Sequence, residues 1–355
     1  MDSAQYFPAM LQAIEGARHS LLLEFYLVES GTVMDRFCQA LTAACRRGVR
    51  VCLLVDGFGA QALSQHDRRR LERAGVELRV FNPLGLGKGL ANFSRDHRKL
   101  LVADGRIAFT GGTGLCDQFL SAPDGTPGWH ELMLRVEGPV VNDWQRLFAR
   151  LWNESGGAPL ALNEEAVAVG DMQMKIATTR GLRSQEIKVN FRRHINGAEH
   201  RIWLATAYFL PSWSIRRALR NAALRGVDVR LLVPGPKTDH PGLYYAARRY
   251  YRPLLAAGAR IYEYQPRFIH AKVGVCDHWL SLGSCNLDHW NLRWNLEANQ
   301  EVQDARLAED VYATFRADFA QSEEVTYQYW MARPWYQRVW GFCRGLAHGL
   351  VLRLF

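Results

Sequence analysis

The same succession of segments occurs twice in this chain, and that repeat constrains the fold more than any other feature. In the first half GARHSLLLEFY is followed by AACRRGVRVCLLVDG, LERAGVELRVF and HRKLLVAD. In the second, GAEHRIWLATAYF is followed by NAALRGVDVRLLVPG, LLAAGARIYEY and HAKVGVCD. Gly16 answers to Gly197, Gly48 to Gly226, Gly75 to Gly258 and His97 to His270, a separation that drifts only between 173 and 183 residues. Such a spacing marks a duplication with small loop changes. Within the repeat, runs rich in Val, Leu and Ile at 49–55, 76–81 and 100–109 read as buried strands. Residues 34–46 and 214–224 read as helices ending near an RGV, where Gly serves as a C-cap. Alternating strands and helices predict an α/β fold with each sheet covered on both faces. The pattern breaks at residues 155–180, so the expected units are 1–160 and 175–322, followed by a tail at 325–355. A length of 355 residues suits two domains of about 150 residues.

Composition excludes a collagen, a disordered tail and a minimal disulfide scaffold: 48% of residues are hydrophobic and 22% charged. No run of about 18 uncharged apolar residues reads as a transmembrane helix, and the first residues show no signal-peptide pattern. Seven cysteines without a CxxC pair, most of them inside apolar runs, suit buried thiols in a reducing compartment. The net charge of +9 favours anionic partners. Nucleic acid and anionic lipid both qualify on charge alone. Only six of the 44 basic residues are lysines, at positions 88, 99, 175, 188, 237 and 272, so each retained Lys asks for a reason.

Two of those lysines fall in the repeated motif H-x-K-x4-D, as His97, Lys99 and Asp104 and again as His270, Lys272 and Asp277. His and Lys two apart on a strand point to one face, and the Asp belongs to the turn beyond. Small residues follow each motif: Gly111, Gly112 and Thr113 in the first half, and Gly283, Ser284 and Asn286 in the second. Such residues let backbone N–H groups and hydroxyls approach an anion. A carboxylate comes next in each half, Glu131 in WHELML and Glu297 in WNLEAN. A carboxylate on the far nitrogen of an imidazole fixes its tautomer and raises its basicity.

This combination resembles the phospholipase D superfamily, over about residues 8–305. LLLEFY with Glu24, RDHRKLLVADGRIAFTGG, the EGPVV after LRV, AYFLP with Tyr208, and GSCNLDHWNLRWNLE are similar to its bacterial cardiolipin synthase branch. The resemblance implies two α/β halves related by a pseudo-two-fold axis, each with a mixed sheet flanked by helices, and one site between them. It implies that one motif histidine attacks phosphorus while the other serves the leaving and entering alcohols. His97, Lys99, Asp104, His270, Lys272 and Asp277 are then the expected catalytic residues. Ser284, Asn286, Thr113, Glu131 and Glu297 are the expected orienting and substrate-binding ones. The expected activity joins two phosphatidylglycerols into cardiolipin with release of glycerol; a phosphodiester hydrolase or nuclease on the same scaffold is the alternative. The family commonly places Asn after the first Gly pair, where this chain has Gly114, which implies a weaker phosphate grip in that half. Which histidine is the nucleophile is open at this level.

No metal or cofactor is expected: HExxH and paired-Cys spacings are absent among the 11 histidines and seven cysteines. GLGKGL is neither a dinucleotide fingerprint nor a Walker loop and reads as a loop near the site, lining a lipid entry or simply connecting. Phe93, Phe209, Trp279, Trp290 and Trp294 are aromatic candidates for excluding water from the site. After Pro334, Trp335, Val339, Phe342, Leu346, Leu350 and Leu354 recur at helical spacing among three arginines and no acids. That suits either a membrane interface or a docked helix. The expected partners are anionic phospholipid and a membrane surface, held peripherally on the cytoplasmic face of a bacterial cell membrane, with no nucleic acid.

Overall fold

A computed structural model describes residues 3–122, 124–163, 167–181, 183–288 and 291–334. The first half forms a six-stranded sheet from β1 (Ser20–Phe25), β2 (Arg50–Asp56), β3 (Glu77–Phe81), β4 (Lys99–Ala103), β5 (Ile107–Gly111) and β6 (Met133–Glu137), ordered β3-β2-β1-β4-β5-β6. The second half contributes β7 (Gln173–Arg180), β8 (Ser184–Gln185), β9 (Arg201–Ala205), β10 (Asp228–Pro234), β11 (Arg260–Tyr264), β12 (Val273–Cys276), β13 (Trp279–Gly283), β14 (Leu296–Gln303) and β15 (Ser322–Val325). Their order, β15-β11-β10-β9-β12-β13-β14-β7-β8, contains the first sheet's order over again, with β15 added at one edge and β7 and β8 at the other. In both copies the first three strands run parallel and the next three antiparallel.

Period-two alternation divides each sheet between two cores. Leu21, Leu23, Phe25, Val51 and Leu53 pack with α1 (Ser3–Gly16), α2 (Thr32–Arg46) and α3 (Gln65–Arg73). Their neighbours Leu22, Cys52, Leu54, Leu100 and Val102 face α4 (Val140–Glu154) through Trp144, Phe148 and Trp152. Leu296 and Ala298 of β14 join that same cluster, so part of the first half's core is shared with the second. The second sheet repeats the scheme: Ile202, Leu204, Val229 and Leu231 face α5 (Glu186–Gly197) and α6 (Trp213–Leu224), while Trp203 and Leu232 face the helix Ala305–Ala320.

Two sequence expectations meet a different structure. Residues 100–109 form two antiparallel strands, because Asp104 and Gly105 take positive φ values of 52° and 64° and turn the chain back. Val325 pairs with Ile261 in the second sheet, and Trp330 packs on Tyr251, so residues 322–332 are part of that half. The helix expected after Pro334 lies outside the described residues. Among the described residues, no helix is long and apolar enough to cross a membrane. Cys38, Cys52, Cys116, Cys276 and Cys285 are buried free thiols.

Candidate active site between the two halves

The halves are stitched together at the motif histidines. The backbone N–H of His97 donates to the carbonyl of Leu296 at 3.0 Å, and the N–H of Leu296 donates back to the carbonyl of Arg95 at 2.8 Å. On the opposite side, the N–H of His270 donates to the carbonyl of His130 at 2.7 Å, and His130 donates to Phe268 at 2.8 Å. In each bridge the residue after the anchor is the glutamate. Glu297 is thereby delivered to His97, and Glu131 to His270.

The result is two reciprocal pairs. Nδ1 of His97 lies 2.9 and 3.1 Å from the two oxygens of Glu297, and Nδ1 of His270 lies 2.7 Å from Oε2 of Glu131. Both carboxylates are fully buried. With the carboxylate as acceptor, Nδ1 carries the proton and Nε2 keeps its lone pair for chemistry. Burial pushes the His97 imidazole below its ordinary pKa, against the attraction of Glu297. Burial, then the charges of Lys272 and Lys99, push His270 down further. Both rings are thus held neutral in the unliganded protein, as a nucleophile or base requires.

Lys99 and Lys272 lie beneath the imidazoles. Nζ of Lys99 donates to the carbonyl of His97 at 2.5 Å, and Nζ of Lys272 donates to that of His270. Lys272 also approaches Oε2 of Glu131 at 3.5 Å. Burial lowers Lys99 to about 7 and depresses Lys272 as well. The like charges of the two lysines work in the same direction in Lys99, while Glu297 opposes them. Two ammonium groups in a dry cleft with neutral imidazoles form a site that an oxyanion would complete.

The small residues of the two halves part company here. Ser284 donates to Glu297 through Oγ and accepts the N–H of Ala298 at 3.0 Å, which fixes the carboxylate. The corresponding position after β5 is Gly112, and Glu131 occupies the space a side chain would take. Asn286 is buried, with Oδ1 3.5 Å from the Thr206 hydroxyl and Nδ2 unpartnered among the described residues. Thr113 is turned away: its hydroxyl meets Tyr6 of α1 at 3.1 Å and the carbonyl of Gly114 at 3.3 Å.

The structure does not bring Asp104 and Asp277 to the histidines. Asp104 follows the last residue of β4, roughly 17 Å along an extended chain from Lys99. Its carboxylate accepts the N–H groups of Arg18, His19 and Ser20 at 2.8, 2.7 and 2.9 Å. Asp277 does the same for Glu199, His200 and Arg201. Each Asp therefore ties the motif hairpin to the start of the neighbouring central strand. The reason is geometric: five residues of strand carry the side chain to the opposite end of the strand from the Lys.

Walls that the motifs do not announce complete the site. Tyr26 stands edge-on to His97, with ring centroids 4.8 Å apart, and Nζ of Lys99 lies 5.1 Å from its centre. Phe119 and Trp129 flank His270 at 5.6 and 5.4 Å. Tyr208 donates to Asp239 at 2.5 Å, and Asp239 acts electrostatically on His270 and Lys272. The repeat register was the available signal, since Tyr26 and Tyr208 follow corresponding strands β1 and β9. Of the aromatic candidates, Phe209 and Trp279 belong to the second core, Phe93 meets Trp294 at 6.2 Å, and Trp290 lies outside the described residues.

Comparison with known proteins agrees with this architecture. A family profile described as "Cardiolipin synthase, PLD-like domain" matches residues 10–152 and 191–319. The chain is 34% identical over 327 residues to cardiolipin synthase A of Pseudomonas aeruginosa, covering 90% of this chain and 66% of that protein. It is 33% identical over 333 residues to cardiolipin synthase of Oceanobacillus iheyensis, covering 92% and 69%. The chain thus spans about two thirds of the length of these relatives. Among solved structures, phosphatidylserine synthase of Haemophilus influenzae superposes with a TM-score of 0.75 at 12% identity, covering 99% of this chain and 93% of that one. Polyphosphate kinase of Porphyromonas gingivalis shares the fold with a TM-score of 0.60 at 14% identity, covering 92% and 47%. Two mixed sheets built on one repeated six-strand order and sharing one histidine–lysine site define a protein of the phospholipase D superfamily. Within it, this chain belongs to the cardiolipin synthase family.

Proposed function

We propose that this chain is a phosphatidyltransferase that makes cardiolipin from two phosphatidylglycerols through a phosphohistidine intermediate. The observation that carries the reading is the reciprocal pairing of two neutral, carboxylate-oriented imidazoles over two buried lysines. One Nε2 attacks the phosphorus of the first phosphatidylglycerol; the N–P bond forms as the bond to the glycerol oxygen breaks. The opposite imidazole takes up a proton on Nε2 as the anionic substrate binds beside it, and as imidazolium gives that proton to the departing glycerol. The glycerol hydroxyl of a second phosphatidylglycerol then attacks, returning a proton to that imidazole and freeing the first. Lys99 and Lys272 balance charge on the phosphoryl oxygens, with Nδ2 of Asn286 as a further donor. Asp104 and Asp277 brace the two hairpins, and the units 1–160 and 175–322 work as one.

The same reading places the protein peripherally on an anionic membrane, on the cytoplasmic face, where its free thiols stay reduced. A surface for this lies beside the site. The segment after β3 satisfies its own polar groups: Asn82 donates to the carbonyls of Ala91 and Ser94, Asn92 pairs with the backbone of Gly85, and Lys88 donates to the carbonyl of Pro83. Its Leu84, Leu86 and Leu90 point to solvent together with Phe58, and Leu86 is fully exposed. Apolar side chains on a loop with internally satisfied polar atoms suit the headgroup boundary.

The test is incubation of the purified protein with phosphatidylglycerol vesicles, resolving products by mass. Cardiolipin with free glycerol is expected, reversed by added glycerol, and absent with His97→Ala or His270→Ala. Phosphatidic acid as the sole product, indifferent to added alcohols, would establish a hydrolase instead.

A further inference from the structure

One buried charge is unused by the chemistry above. Arg95 is only 7% exposed and lies two residues before His97. In extended chain, Arg95, His97 and Lys99 share one face, while Asp96 and Arg98 take the other. There Arg98 meets Glu24 at 2.8 Å and Asp96 at 3.1 Å. Among the described residues, only Nη1 of Arg95 is engaged, by the carbonyl of Asn82 at 2.9 Å and Oδ1 of Asp56 at 3.4 Å. Asp56 is itself immobilised by the N–H groups of Phe58, Gly59 and Asp96. The remaining edge of the guanidinium, Nε and Nη2, is buried without a hydrogen-bond partner among the described residues. That is the edge which grips phosphate or carboxylate with two parallel bonds, and leaving it empty in a dry wall costs stability.

The repeat supplies an internal comparison. Counting back from His270 as from His97, the counterpart of Arg95 is Phe268, and the counterpart of Asp56 at the end of its strand is Pro234. Phe268 simply packs on Trp129 and His270, at 5.1 and 5.8 Å. The fold therefore does without the Arg–Asp pair at this position, and the two sides of the site are chemically unlike. Substrate parts of unlike charge call for such a difference.

We propose that the Nε–Nη2 edge of Arg95 is a subsite for a second phosphate, the one carried by the incoming phosphoglycerol acceptor. The proposal rests on the transferase reading. The reacting phosphoryl group is served by Lys99 and Lys272, and the departing glycerol is uncharged. The acceptor's own phosphodiester is then the one anion left to place. Its glycerol oxygen attacks the phosphohistidine phosphorus; the O–P bond forms, the N–P bond breaks with its electron pair returning to that imidazole, and the hydroxyl proton passes to the other histidine. Arg95 makes and breaks no bond. It holds the acceptor by its charged end so that the hydroxyl, rather than water, reaches phosphorus.

The experiment uses short-chain phosphatidylglycerol as donor and compares two soluble, isotopically labelled acceptors, glycerol, whose transfer product is labelled phosphatidylglycerol, and sn-glycerol 3-phosphate. The wild-type protein is expected to favour glycerol 3-phosphate in kcat/KM. In Arg95→Gln that value falls by about 10- to 100-fold, mostly through KM, the size expected for loss of a charged two-pronged bond. Transfer to glycerol stays within about twofold, and Arg95→Lys recovers part of the loss. The Lys variant carries the same comparison if the Gln variant fails to fold. Equal losses for both acceptors would overturn the proposal by placing Arg95 on the reacting phosphoryl group or in the fold alone, as would an unchanged glycerol 3-phosphate KM. Failure of the transferase reading shows separately, as a wild-type protein that hydrolyses the donor and transfers to neither acceptor; the acceptor subsite falls with it.

Discussion

A Cβ on Gly112 would lie 2.0 Å from Oε2 of Glu131, the oxygen that pairs with His270. The glycine's absent side chain is therefore the space in which that carboxylate sits. Gly112→Ala should push a flexible side chain aside rather than unfold the sheet. The expected outcome is a loss of at least about 100-fold in kcat, the scale seen when a histidine loses its orienting carboxylate, with a melting temperature close to wild type. A variant that keeps full activity would show that His270 does not depend on Glu131.

Lys99 provides a pH test. Burial brings it to about 7, against the pull of Glu297, and a bound anion favours its charged form. Affinity for an anion of constant charge should therefore fall as pH rises from 7 to 9 and Lys99 gives up its proton. Sulfate inhibition constants across that range should rise in the wild type, by no more than tenfold per unit. They should flatten in Lys99→Arg, whose guanidinium stays charged, apart from the smaller contribution of the also-depressed Lys272.

Asp104 and Asp277 should behave as braces. Burial raises each carboxyl, but three backbone N–H groups outweigh it and hold both below the ordinary value. Their stabilisation is present above the unfolded carboxyl value near 3.9 and is lost as pH falls through the lower folded value. Asp104→Asn keeps a residue that tolerates positive φ yet weakens three bonds to charged oxygen. A loss of roughly 1–3 kcal/mol in unfolding free energy, read by denaturant titration at pH 7, is expected with kcat/KM per folded molecule unchanged. Total inactivity of a folded Asp104→Asn protein would return the residue to the chemistry.

The leucine loop separates membrane contact from catalysis. Leu86→Asp combined with Leu90→Asp should weaken sedimentation with phosphatidylglycerol vesicles, since each replaces buriable apolar area by charge near an anionic surface. Turnover of a monomeric short-chain substrate should not change. Equal losses on vesicles and monomers would instead make the loop part of the site.

The repeat, the α/β class and the identity of both histidines and both lysines were legible in the chain, because each rests on spacing that a strand preserves. What crosses between the halves was not. The partner of His97 is 200 residues away and that of His270 is 139 away, and nothing local to either motif says that its glutamate lies in the other half. Asp104 misleads for the opposite reason: nearness in sequence puts it at the far end of a strand. Thr113 misleads by one residue, since Gly112 holds the register position of Ser284 and the hydroxyl falls on the side of Tyr6. Arg95 was hidden in plain view beside the motif, its significance visible only once Asp56 is seen to anchor one nitrogen and leave the other two bare.

The paired backbone bridges at Leu296 and His130 carry one more consequence. Each half holds a histidine it cannot orient and a glutamate it cannot use, so either half produced alone should be inert however well it folds. Two separately expressed fragments divided near residue 165 should regain turnover only on mixing, in proportion to the heterodimer formed. Activity in this architecture is thus a property of an interface, and the covalent connection between the halves sets their local concentration.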